Sequence, residues 1–232
     1  VADNGWDRGD HRGEYLGIRQ LDSLAHYQTE LSTNVNRFSD RILKSASPPD
    51  WSRLAADDLA TTLADHAHCE KKASASAIAL INDYPEDEEL VRTMARLAAE
   101  EIEHFAEVHA LLKERGGTLV RDRGDPYAQR LLGLMRRPGG ERKLDRLLVA
   151  ALIEARSCER FRLLREELVR RGEEALALVF RRLESSEAGH AALFVELAVA
   201  RFGKELALTR LDELASAEAE IVAALPVEAR IH

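Results

Sequence analysis

The chain has 232 residues and a net charge of −8, with 45% of residues hydrophobic and 32% charged. That is the balance of a folded globular protein, and its acidity excludes a protein-wide positive field for nucleic acid. Two cysteines exclude a disulfide framework and an all-thiolate zinc site, and only 5% aromatics favours helix over a β-sandwich or barrel.

Residues 1–13 are polar and glycine-bearing and read as a loose segment. They lack the basic-then-apolar pattern of a signal peptide, and no apolar run approaches the ~18 residues of a bilayer span. A reducing, cytoplasmic setting is therefore expected. Over 14–44, Leu21, Leu24, Leu31, Val35, Phe38 and Ile42 recur at helical spacing until Ser47-Pro48-Pro49-Asp50 breaks the pattern. A second helix is expected over 57–83, with Leu63, Ala67, Ser74, Ala77 and Ile81 along one side and Tyr84-Pro85 at its end. A third covers 86–115, stopped by Gly116-Gly117. Residues 118–140 form the longest irregular stretch, with at most a short helix near 127–137. Helices over 141–171, 173–202 and 205–225 complete the chain, and no segment alternates with period two. Two helix pairs with short turns, joined by one long crossover, are what an all-α, ferritin-like four-helix bundle needs. Residues 1–46 are then an N-terminal extension with an additional helix, and 47–232 the bundle domain with an additional C-terminal helix.

Glu-x-x-His occurs twice, at Glu101–His104 and Glu187–His190, each time midway along the second helix of a pair. One hairpin earlier stands Cys-Glu-basic: Cys69-Glu70-Lys71 and Cys158-Glu159-Arg160. The two Glu-to-Glu spacings are 31 and 28 residues, a difference that the shorter second turn accounts for. Residues i and i+3 share a helix face, so a Glu and a His there can grip one metal ion. A duplicated hairpin presenting Glu70, Glu101 and His104, then Glu159, Glu187 and His190, brings four carboxylates and two imidazoles together. That is the ligand set of di-iron carboxylate bundles, and oxygen with imidazole suits iron or manganese. On the fifth helix the choice stays open. The Cys-Glu repeat selects Glu159, but the stripe Leu147, Ala151, Cys158, Phe161 runs through Glu154, an alternative ligand or supporting group. His66 shares the inward stripe of Glu70, and Arg156 can pair with a carboxylate near the site. His68 and His109 read as exposed, and both cysteines as small packing residues. Residues 113–146 carry ten basic against five acidic residues, which marks either a phosphate-contacting surface or a solvated loop.

The blocks Asp65-His66-Ala67-His68-Cys69-Glu70-Lys71-Lys72-Ala73, Glu100-Glu101-Ile102-Glu103-His104-Phe105, Ile153-Glu154-Ala155-Arg156-Ser157-Cys158-Glu159-Arg160-Phe161 and Ser186-Glu187-Ala188-Gly189-His190 resemble the MiaE family. These are tRNA hydroxylases acting on methylthio-isopentenyl-adenosine beside the anticodon. The similarity runs over about residues 48–225, and Gly189 departs from the larger residue the family pattern has there. The resemblance implies a non-haem di-iron monooxygenase using dioxygen and two electrons from a reductase or ferredoxin-type donor. It implies a prenyl pocket, for which Phe105 and Phe161 are candidate walls. It also gives the basic crossover a role against anticodon-stem phosphates, through Arg121, Arg123, Arg136, Arg137, Arg142 and Lys143. A ferritin-like ferroxidase or another di-iron oxidase not acting on tRNA is the alternative reading.

Overall fold

The computed structural model describes residues 41–137 and 139–232, so the helix expected over 14–44 lies almost wholly outside the described residues. Among those residues seven helices follow in order: α1 (Trp51–Asp57), α2 (Leu59–Asp83), α3 (Glu88–Glu114), α4 (Pro126–Gly133), α5 (Gly140–Arg170), α6 (Glu174–Phe202) and α7 (Lys204–Ala224). No strand occurs among them. The boundaries follow local chemistry. Asp58, Asp87 and Asp125 accept from the backbone N–H of Thr61, Leu90 and Ala128, capping α2, α3 and α4. Gly172, at φ +78°, turns the chain between α5 and α6 in a conformation that a side chain would strain.

α2 pairs with α3 and α5 with α6, and the long crossover between the pairs carries α4, which packs on α7 and α5. This is the ferritin-like connectivity. α1 is an addition to the expected set, a short helix just after the double proline that packs on α5 and α2. Trp51 anchors it, 1% exposed, with its indole N–H donating to the Arg230 carbonyl at 2.9 Å. Ile42 and Leu43 also pack on the core.

The apolar core is split in two. One cluster joins Ala77, Met94, Leu148, Leu152 and Phe194; the other joins Leu63, Ala67, Val108, Phe161 and Phe180. On every bundle helix the residues between these clusters are polar: Glu70 and Ser74 on α2, Glu101 on α3, Glu154 on α5, Glu187 and His190 on α6. Burying one large apolar side chain contributes about 1.5–3 kcal/mol. Two such plugs thus hold a layer of buried carboxylates that would be costly alone.

Candidate metal centre

Four helices deliver the polar layer. Glu70, Glu101, His104 and Glu187 form one group whose ligand atoms lie within 4.8 Å of one another; Glu101, Glu154, Glu187 and His190 form a second. Glu101 and Glu187 belong to both. His104 Nδ1 lies 3.4 Å from Glu101 Oε2, 3.8 Å from Glu70 Oε2 and 3.9 Å from Glu187 Oε1. His190 Nδ1 lies 3.0 Å from Glu101 Oε1 and 3.5 Å from Glu187 Oε2. Each shared carboxylate therefore turns one oxygen toward each imidazole.

The donor set fits a pair of divalent cations. Glu101 Oε1, Glu187 Oε1 and His190 Nδ1 are buried without a hydrogen-bond partner, although His190 Nδ1 and Glu101 Oε1 are close enough for one. A buried polar atom left unmet costs about 1–3 kcal/mol unless something else meets it. The charges show the same crowding. Burial, then the Glu187 charge, pushes the Glu70 and Glu154 carboxyls well above the usual range. Burial would lower both imidazoles, but the carboxylates outweigh it and hold His104 up at about 10 and His190 at about 12. Four carboxylates here have two imidazoles as their cations, and two metal ions would replace the protons.

Adjacent residues set the orientation of these side chains. His190 Nε2 lies 3.1 Å from Glu100 Oε2, a contact that aims Nδ1 inward; this role for Glu100 went unread in the sequence. His66, fully buried with its ring tilted against Phe161, places Nε2 2.5 Å from Glu70 Oε1, and burial lowers its pKa to about 4.

Glu159 lies elsewhere. It is absent from both groups and accepts from Ser47 N (2.7 Å), Ser47 Oγ (2.6 Å) and Arg156 Nη1 (2.8 Å). Arg156, expected beside the metal ligands, is fully buried between Glu159 and Glu218. The reason is helical phase. Glu154 continues the stripe of Leu147, Ala151, Cys158 and Phe161, whereas Glu159, one residue past Cys158, is turned about 100° toward the 45–47 segment. The tripeptide match hides this difference: Cys158 is buried, Cys69 only half-buried.

A cavity of about 270 Å³ reaches the centre, with Glu70, Glu154 and Glu187 in its lining. Its other walls include Val149, Ala150, Ile153 and Phe194 from the bundle and Ala128 and Leu132 from α4. Phe161 and Phe105 do not line it: Phe161 sits in the core cluster of Leu63, Val108 and Phe180, and Phe105 stacks on His109. A residue list could not reveal which side of the bundle α4 leaves open. His68 departs from expectation as well, being buried with Nε2 2.7 Å from the Val120 carbonyl.

The basic crossover divides. Arg136 grips Asp145 from its backbone N and side chain (2.7–3.0 Å), Lys143 pairs with Asp87 at 2.6 Å, and Arg142 donates to the Arg136 carbonyl. Arg121, Arg123, Arg130 and Arg137 are exposed. No helix among the described residues is long and apolar enough to cross a membrane.

Fold and centre together define a class: ferritin-like bundles whose middle layer carries carboxylate and imidazole groups that could hold metal ions. Within that class, residues 34–232 match the model of the family described as tRNA-(MS[2]IO[6]A)-hydroxylase (MiaE), and the chain belongs to that family. A tRNA 2-(methylsulfanyl)-N(6)-isopentenyladenosine(37) hydroxylase from Pseudomonas putida is 37% identical over 194 residues, 83% of this chain and 92% of the relative. A protein of the same name from Salmonella typhimurium is 30% identical over 168 residues, 72% of this chain and 60% of the relative. A solved structure described as Protein 43 with aldehyde deformylating oxygenase activity, from Synechococcus, superposes with a TM-score of 0.77 at 35% identity. That match covers 82% of this chain and 94% of the other.

Proposed function

We propose that this protein hydroxylates the isopentenyl group of (methylthio)isopentenyl-adenosine beside the anticodon of tRNA, with two iron ions as its cofactor. The observation that carries this reading is the cavity whose apolar walls end on Glu70, Glu154 and Glu187 in a chain of this family. Glu70 and His104 would help hold one ion and Glu154 and His190 the other, with Glu101 and Glu187, which belong to both groups, contributing to the site. Bound iron supplies dioxygen activation: one oxygen atom enters a C–H bond, the other leaves as water, and two electrons and two protons come from outside. The electrons call for a reductase or ferredoxin-type partner, and the tRNA substrate for a cytoplasmic setting.

The chain's own residues then bind and align. Ile153, Phe194, Val149 and Ala150 accept a branched five-carbon tail and exclude water around it. Glu100 holds the His190 ring in place. The base must leave the anticodon stack for its tail to reach a buried site. Arg121, Arg123, Arg130 and Arg137, on the crossover that forms one cavity wall, are free to meet phosphates. Arg136 and Lys143 serve the fold instead.

The test is nucleoside analysis of tRNA from a bacterial strain that lacks its own hydroxylase and expresses this chain. Hydroxylated prenyl-adenosine should appear with the wild type and vanish with Glu154→Ala. Unmodified prenyl-adenosine beside rapid oxidation of added ferrous iron would overturn the reading in favour of a ferroxidase.

A further inference from the structure

We propose that Cys69, Asp125 and His232 form a third cation site, separate from the carboxylate layer and set in the wall of the same cavity. The three residues come from α2, the start of α4 and the tail, and their ligand atoms lie within 4.8 Å of one another. His232 Nδ1 is 3.5 Å from Cys69 Sγ and 3.4 Å from Asp125 Oδ2. The second distance is long for a hydrogen bond. Both suit a shared tetrahedral cation. With bonds of about 2.3 Å to sulphur and 2.0–2.2 Å to nitrogen or oxygen, tetrahedral angles separate S from N by about 3.5 Å and N from O by about 3.4 Å.

The surroundings hold the donors in this pose. Asp125 uses Oδ1 to cap α4, leaving Oδ2 for the site. His232 Nε2 lies 2.9 Å from Ser157 Oγ, and the ring stacks on Tyr127 at 5.2 Å between centroids. That contact fixes the ring orientation, as outer partners of metal-binding histidines do. The tail is itself strapped down: Ile231 N donates to Asp65 Oδ2 at 2.8 Å and its carbonyl accepts from Arg160 at 2.8 Å. All three residues line the cavity, which would supply the fourth coordination position. One sulphur, one nitrogen and one oxygen select a borderline divalent cation such as Zn²⁺, Co²⁺ or Fe²⁺ over Mg²⁺ or Ca²⁺. Binding releases the Cys69 proton, and the thiolate and Asp125 neutralise the ion. Lys72 Nζ, 3.5 Å from Asp125 Oδ2, opposes the cation and keeps it exchangeable.

The test uses the full chain, iron-loaded, mixed with Co²⁺, freed of excess by gel filtration and analysed for both metals and for thiolate-to-cobalt charge-transfer absorption. One cobalt per chain beyond the iron is expected, with that absorption. Cys69→Ser and His232→Ala should each remove cobalt and absorption and keep the iron. Ser157→Ala should weaken cobalt binding about 10–100-fold, and Lys72→Met should tighten it. No cobalt beyond the iron positions, or a cobalt signal that survives Cys69→Ser, overturns the site. The carboxylate groups contain no cysteine, so the sulphur band reports on this site even if the chain takes up no iron. Failure here and failure of the proposed function are thereby distinguishable.

Discussion

Replacing Glu159 and Glu154 in turn by Gln separates a residue of the fold from a residue of the centre. Glu159 is 4% exposed and accepts three hydrogen bonds, one from the buried Arg156 guanidinium. Glu159→Gln keeps the shape, loses the charge and turns a donor toward Ser47 and Arg156. Breaking such a buried pair costs about 3 kcal/mol, the low end of the usual range because Glu218 still meets Arg156. A chain of this length loses about 2–4 °C in Tm per kcal/mol, so melting should fall by about 6–12 °C with metal content unchanged. Glu154→Gln should behave in the opposite way. Burial and the Glu187 charge already disfavour its ionised form, so the metal-free Tm should hold or rise while bound iron drops. The wild type gains about 2.7 kcal/mol at a free metal concentration 100 times Kd, and most of that gain should be missing from Glu154→Gln. Circular-dichroism melts with and without iron, alongside metal analysis, read both effects. Iron loss at unchanged metal-free Tm in Glu159→Gln, with full iron in Glu154→Gln, would refute the assignment.

Other outcomes follow from the same geometry. Phe194→Trp should fill part of the cavity, raising KM for prenylated tRNA at least several-fold while iron content stays constant. Glu substitution at Arg121 and Arg123 should weaken tRNA binding and flatten its salt dependence by roughly one unit of log–log slope for each phosphate no longer neutralised. Arg136→Glu should instead lower Tm, since Arg136 holds the buried Asp145. Asp87 is held below its ordinary 3.8, first by Arg201 and then, against burial, by Lys143. A depressed carboxylate contributes stability above its unfolded pKa and loses it as pH falls toward the folded one. Asp87→Asn should therefore lower Tm at pH 7, and the gap to wild type should persist at pH 4 and narrow only as pH falls well below 3.8, by calorimetry.

Helical phase and hairpin length were legible because they are local. The ends of α2, α3, α5 and α6 fall within about two residues of those expected, and the spacing of Glu101–His104 and Glu187–His190 suffices to put each pair on one face. What escaped depends on distant chain segments. Glu159 matches Glu70 in its tripeptide, yet its surroundings come from Ser47 and Glu218, more than 50 residues away on either side. The apolar stripe through Glu154 carried the better signal, because a bundle helix buries a face and not a motif. α1 was hidden because seven residues after a double proline show too few turns for a periodicity. The cavity was hidden because its walls depend on how α4 and the tail fold back over the bundle. The fate of the basic residues turned on which acids lie nearby in space, as Arg136 with Asp145 shows.

In the proposed function the cavity presents a prenyl-adenosine to a two-iron centre that inserts oxygen. Reduced, iron-loaded protein incubated with isopentenylated tRNA and ¹⁸O-labelled dioxygen, followed by nucleoside mass spectrometry, tests it most directly. One labelled oxygen on the prenyl group of the adenosine is the predicted result. Unlabelled or unmodified nucleoside, from protein shown to hold two irons per chain and to consume dioxygen, would contradict it.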